Sequence, residues 1–312
     1  MEALGHYIMR GRREAILIAL LCSVLPLLNW LATATLGLVS LRKGAQEGIL
    51  ILLWLCLPLL VKSYFTTEYF VLTSLFLVNV FVYLSALVLR YSRSWVWVIQ
   101  AATFCGILVI IGAHAVLPNV PQWWIQHLTT ELAQAGVLDI RTADPQAVNF
   151  ETLQALVLLK YAFMVTGIKV ISVLVPMLFS LGFARWWQAL LFYRGGFRTE
   201  LSDVRLTRAF SLVLFLVLVG LLVKNALALD ILPVMLLPFF LVGNNFIHQA
   251  IVKQKKRHTV WLLVGFYSIL IISLFFNVTL LANLVIACAV FDSWFNLKNI
   301  QPRLKQVFSK SS

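Results

Sequence analysis

Residues 15–41 are 27 positions without one charged side chain, closed by Arg10, Arg12 and Arg13 on one side and by Arg42 and Lys43 on the other. An apolar stretch of about 18 residues or more is a candidate membrane helix, and Lys and Arg collect on the cytoplasmic side of a bilayer. Both ends of this run therefore belong on one side. A single straight helix would strand Arg10, Arg12 and Arg13 on the outer face. A break at Pro26 and Asn29 instead makes two half-helices that return to the side they left. A hairpin over residues 14–41 is the expected form, with one long span as the alternative. Ala32-Thr33-Ala34 resembles a signal-peptide cleavage site, but the run exceeds the usual length of about 7–15 residues. Arg42 and Lys43 also follow it closely, so an uncleaved segment is expected.

The same pattern continues to the C-terminal region. Apolar runs cover 48–65, 69–89, 95–117, 153–183, 209–226, 231–252, 259–276 and 278–295. They are too long and too uniformly apolar for barrel strands, and in lipid a helix satisfies its own backbone groups. The predicted fold class is all-α: a polytopic helical transmembrane bundle of one N-terminal half-helix hairpin plus about eight spans, the last two forming a tight hairpin at Asn277. A chain that is 61% hydrophobic and 12% charged leaves no room for a separate soluble domain. Residues 1–312 are read as a single integral membrane domain in a lipid bilayer.

A net charge of +13 would suggest nucleic acid in a soluble protein. Here the basic residues fall between apolar runs and are topological, so no nucleic-acid partner is expected. Arg90 and Arg93, the loop with Arg185, Arg194, Arg198, Arg205 and Arg208, the cluster at 253–257, and the tail with Lys298, Arg303, Lys305 and Lys310 mark the inner side. Both termini are expected in the cytoplasm, with 184–208 a cytoplasmic loop. Residues 118–152 hold one Arg, Arg141, against Glu131, Asp139, Asp144 and Glu151, and are read as extracytoplasmic. Within them Pro121 opens a predicted helix whose Trp124, Ile125, Leu128, Leu132 and Ala135 share a face and which Gly136 ends. Such a helix would lie in the interface with its tryptophans at headgroup depth.

Catalytic constellations are missing from the sequence: there is no phosphate-binding loop, no His-Glu-x-x-His, no Gly-x-Ser-x-Gly and no Cys-x-x-Cys. Cys22, Cys56, Cys105 and Cys288 lie in apolar runs at no metal-ligand spacing. The chain is read as neither an enzyme nor a metalloprotein, with no cofactor. Any energy from ATP would come through another subunit. Candidate ligand-binding residues are ionisable or polar groups inside spans. Lys160 and Lys169 are nine residues apart, which at about 100° per residue puts them on opposite faces. Lys160 snorkels from the outer end. Lys169, deep in its run, points to a carbonyl, an anionic ligand or a polar partner such as Asn79. Asn244 and His248 share a helix face. Asp230, Lys224 and Asp292 are read as solvated helix ends.

Ala15 and Ala19 form a small-xxx-small pattern, as do Gly44 and Gly48, allowing another helix to approach closely. In the segment 184–200, Trp186 and Trp187 fit a headgroup belt and Gly195-Gly196 permits a turn. That segment is either a membrane-lying re-entrant loop or a docking surface in which Arg185, Trp186, Trp187, Arg194 and Arg198 meet a cytoplasmic protein.

Several motifs together resemble a known family. They are Ile8-Met9-Arg10-Gly11-Arg12-Arg13, then Leu25-Pro26-Leu27-Leu28-Asn29-Trp30-Leu31, then Leu41-Arg42-Lys43-Gly44-x-x-x-Gly48, the 184–200 segment, and Asp292-Ser293-Trp294-Phe295-Asn296-Leu297. In combination they resemble the bacterial membrane proteins called domain of unknown function 2232, in a gammaproteobacterial version. The resemblance implies a multipass protein of the bacterial inner membrane and no particular activity. The N-terminal half is also similar in layout to the S components of energy-coupling-factor vitamin transporters, where an Ala-x-x-x-Ala pattern on the first helix packs on a membrane coupling subunit. That likeness implies such a contact at Ala15 and Ala19. The expectation is a solute-binding, S-component-like transport subunit; the alternative is a non-transporting scaffold that recruits envelope or cell-shape proteins.

Overall fold

A computed structural model of the protein describes residues 1–65, 69–134, 161–253, 258–276 and 278–295. Lys160, Ala135, Gly136, Arg141, Asn277, the cluster beyond Lys253 and the basic tail lie outside the described residues. Those described contain no strand. Their helices are α1 (Glu2–Arg10), α2 (Arg12–Val24), α3 (Asn29–Lys43), α4 (Ala45–Phe65), α5 (Tyr69–Ser92), α6 (Trp95–Val116), α7 (Val120–Gln134), α8 (Val165–Phe192), α9 (Gly196–Ser202), α10 (Arg208–Leu222), α11 (Ala226–Lys253), α12 (Thr259–Phe275) and α13 (Leu280–Phe295), with short 3-10 turns at Pro26–Leu28 and Ala162–Met164.

The charge-free run breaks where proline demands it. Leu25, before Pro26, is extended at φ −86° and ψ 118°, a conformation imposed by the proline ring that ends α2. The 3-10 turn follows, and α3 folds back to pack along α2. Both ends of the run then meet: Arg12 Nε donates to both Glu47 carboxylate oxygens, at 2.8 and 2.9 Å. Glu47 raises the Arg12 pKa above its ordinary value, through the hydrogen bond first and its charge second. At the opposite end, Lys62 Nζ donates to the Ser23 carbonyl at 3.1 Å, satisfying one of the last carbonyls of α2. At about 1.5 Å per residue, α2 and α3 span about 20 and 22 Å, short of a hydrocarbon core of about 30 Å. Gly44 leaves α3 at φ 103°, a conformation that suits only glycine, and a side chain at Gly48 would press on Ser40 and Tyr83.

Among the described residues five helices are long and apolar enough to cross a membrane: α4, α5 from Val71, α6, α8 with the turn before it, and α11. The number rises to six if α12 and α13, bent by 118° at their junction, count as one broken span. The run 209–226 is shorter than its composition suggests, because Lys224 adopts φ 55° and Asn225 caps α11 by accepting from the Leu227 N–H at 2.9 Å. The stretch 184–192, expected in a loop, is helical: α8 continues to Phe192 and the turn comes at Tyr193 to Gly195.

Contacts divide the chain into two compact units. The first comprises Met1–Thr103, Ser172–Ser211 and Leu237–Ser312, the second Phe104–Ile171 and Leu212–Leu236. In the second unit Trp124 of α7 is turned inward while Trp123 is partly buried: Trp124 and Val120 bury against Val165, and Trp124 Nε1 donates to Thr166 Oγ1 at 2.9 Å.

Candidate functional site

The first unit holds an apolar groove of about 370 Å³. Trp95 and Ile99 of α6, Val175, Phe179 and Gly182 of α8, Phe197 and Leu201 of α9, and Val242 and Asn245 of α11 line it. Gly182 keeps it open, since a Cβ there would meet nothing within 4 Å. Two polar groups punctuate the wall. Trp95 Nε1 is buried with no hydrogen-bond partner among the described residues, and a buried donor without an acceptor costs about 1–3 kcal/mol. Asn245 Nδ2 donates to the Leu201 carbonyl at 2.6 Å, and Gln249 Nε2 donates to Asn245 Oδ1 at 3.0 Å, so Asn245 is held rigidly by the end of α9. An acceptor on a bound molecule would satisfy the indole.

Phe197 also lines a second cavity, of about 480 Å³, whose wall includes Glu2, Trp186, Arg194 and Arg198. Here the sequence-predicted docking residues separate. Trp187 is fully buried rather than in a headgroup belt; its Nε1 donates to the Met1 carbonyl at 3.1 Å, under α1. Arg185 is held by a bidentate ion pair to Glu200 and by Gln188 Oε1 at 2.5 Å. Arg194 pairs with Glu2 at 2.9 Å, an exposed and therefore weak contact. Trp186, Arg194 and Arg198 remain accessible. Phe197 is the lining residue that the groove and this cavity share.

None of the four residues expected to bind a ligand lines the groove. Asn79 is buried and accepts from Thr33 Oγ1 at 2.9 Å, a polar contact between α3 and α5. Lys169 belongs to the other unit, where it is exposed in the first turns of α8, which begins at Val165. Asn244 donates back to the Phe240 carbonyl of its own helix at 2.8 Å, and His248 Nδ1 lies 3.1 Å from the Tyr267 hydroxyl. Its neighbour Asn245 faces the groove instead, one residue away from the expected face. Ala15 and Ala19 are fully buried on α2, which packs against α1, α3 and α4, so a partner helix could reach them only by displacing part of this chain.

The second unit carries a polar centre that the sequence did not mark. Asp230, read as a solvated end, is 1% exposed. Its Oδ1 accepts the Gly167 N–H at 2.7 Å and its Oδ2 lies 3.1 Å from His114 Nε2, which must donate to a carboxylate. Gly167 is required by this approach, because a Cβ there would collide with the Asp230 carbonyl. The visible signal was an acid inside the apolar run of α11. Both carboxylate oxygens are satisfied, so the centre fastens the start of α8 to α6 and α11. Among the described residues no cluster of His, Cys, Asp and Glu could hold a metal ion. Comparison with protein-family models, curated proteins and solved structures finds no match to this chain.

Proposed function

We propose that this chain is a solute-binding membrane protein, an S-component-like subunit of a transport system, whose ligand is a small amphiphile with an anionic head. The carrying observation is the apolar groove at Trp95 and Asn245, which shares Phe197 with the cavity lined by Glu2, Arg194 and Arg198. Such a pair of walls suits an apolar body and a charged end, with Trp95 Nε1 as the polar handle between them. Lacking a nucleotide-binding loop, the subunit would act with a membrane coupling partner. In this reading the protein lies in the bacterial inner membrane with both termini in the cytoplasm. The Arg12–Glu47 pair supports a returning hairpin, so cysteines at Glu2 and Gln46 should show the same protection from an external label. The scaffold alternative keeps the accessible Trp186, Arg194 and Arg198 as its surface.

The test is native mass spectrometry of the protein purified in mild detergent, beside Gly182→Leu, which fills the groove without touching its polar groups. A retained amphiphile lost in Gly182→Leu supports the reading. A soluble protein partner with no retained small molecule would transfer the assignment to the scaffold.

A further inference from the structure

A third cavity, of about 320 Å³, gathers arginines from segments distant in sequence: Arg42 at the end of α3, Arg90 and Arg93 at the end of α5, and Arg185 of α8, with Gln188 beside them. We propose that this cavity binds a phosphate group, carried by a lipid headgroup or by a soluble phosphate compound.

Positive charge at helix ends is common on topological grounds alone and needs no site. Two of the four guanidiniums have such a structural use. Arg90 Nη1 donates to the Leu41 carbonyl at 3.1 Å, capping α3, and Arg185 is neutralised by Glu200. The other two do not. Arg42 lies over the Phe192 ring, 4.3 Å from its centroid, and makes no hydrogen bond or ion pair among the described residues. Arg93 likewise has no side-chain partner among them, and its backbone is held at φ 53°, a conformation that L residues adopt at a cost. Its N–H donates to the Leu89 carbonyl at 2.9 Å, so the end of α5 enforces that turn.

Like charges lining one small cavity repel, and no carboxylate lines this one. An anion relieves that repulsion. The guanidinium fork matches two phosphate oxygens at once, and the unengaged forks of Arg42 and Arg93, from different segments, suit a tetrahedral anion better than a planar carboxylate. Arg42 and Arg93 are exposed, and the Arg42 stem is already fixed by its stacking. The cavity shares no lining residue with the groove, so either assignment can fail without the other.

The test uses the full-length protein in two arms at fixed ionic strength. In non-ionic detergent, inorganic phosphate is titrated against chloride while melting is followed. In nanodiscs of phosphatidylcholine with or without phosphatidylglycerol, retained lipid is counted by native mass spectrometry. A saturable rise in melting temperature assigns a free phosphate, and selective retention of phosphatidylglycerol assigns a headgroup. In whichever arm binds, Arg42→Gln with Arg93→Gln should weaken binding by about tenfold or more. Arg13→Gln, an equal kind of charge removal at an exposed position of α2, should leave it unchanged. The proposal is overturned if neither arm shows a preference for phosphate, or if Arg13→Gln costs as much as the pair. Should the Gln pair fail to fold, Arg42→Lys with Arg93→Lys keeps the charge and removes the forks; unchanged affinity in that pair also overturns the proposal.

Discussion

Asp230 in the second unit and the arginine cavity in the first treat charge in opposite ways. Asp230 is almost wholly removed from solvent, and both its oxygens are used, one by a backbone N–H and one by His114. Arg42, Arg90 and Arg93 of the first unit stay exposed, and among the described residues none of the three has an anionic partner. A buried charge without partners is costly, and at Asp230 a complete set of partners offsets that cost. An accessible guanidinium is hydrated at little cost and can await an outside anion. The same physics makes the first arrangement a fastening and leaves the second free to bind. Arg205 stands between the extremes: Nε donates to the Asp292 carbonyl at 2.8 Å and Nη2 to the Ser293 carbonyl at 3.0 Å, capping α13.

The largest effect expected from this contrast is at Asp230. Asp230→Ala leaves the Gly167 N–H and His114 without their acceptor and should cost about 3–5 kcal/mol, read by denaturation in detergent. A loss below about 1 kcal/mol would remove the distinction between the two regions. Next comes Arg205→Gln, which loses two charge-assisted bonds to the end of α13 and should cost about 1.5–3 kcal/mol in the same measurement. Hydrogen exchange should rise first in the last turn of α13. The smallest effect belongs to the cavity: Arg42→Gln with Arg93→Gln should change stability by no more than about 0.5 kcal/mol in chloride buffer. A large destabilisation there would make these arginines fastenings as well, and would sharpen the contrast only around Asp230.

Much of the architecture was legible because it depends on local properties. Apolar runs with no alternation specify helices, and the restriction that Pro26 puts on Leu25 specifies where the first run breaks. Like charges at both ends gave the expectation of a returning path, and α2 and α3 pack together with Arg12 paired to Glu47. Lengths were less legible: the 209–226 run is cut by the turn at Lys224, a backbone conformation that no composition count detects. The candidate sites were hardly legible at all. Asn244 and His248 were chosen by helix face, yet Asn245 lines the groove, since the face a helix presents is decided by its neighbours.

By itself, then, the sequence determined that the described residues form helices suited to a bilayer, that the first apolar run breaks at Pro26, and where positive charge gathers. Hydrophobicity and backbone restriction act within a few residues, so they can be read along the chain. The tertiary structure alone decided that Trp187 is buried beneath α1, that Asn79 belongs to Thr33, and that Asp230 joins residues 116 positions apart in His114. It also brought Arg42, Arg90, Arg93 and Arg185 to one cavity. A polar side chain has little meaning in isolation, because its free energy depends on the partner that replaces water, and that partner is supplied by packing between segments far apart in sequence.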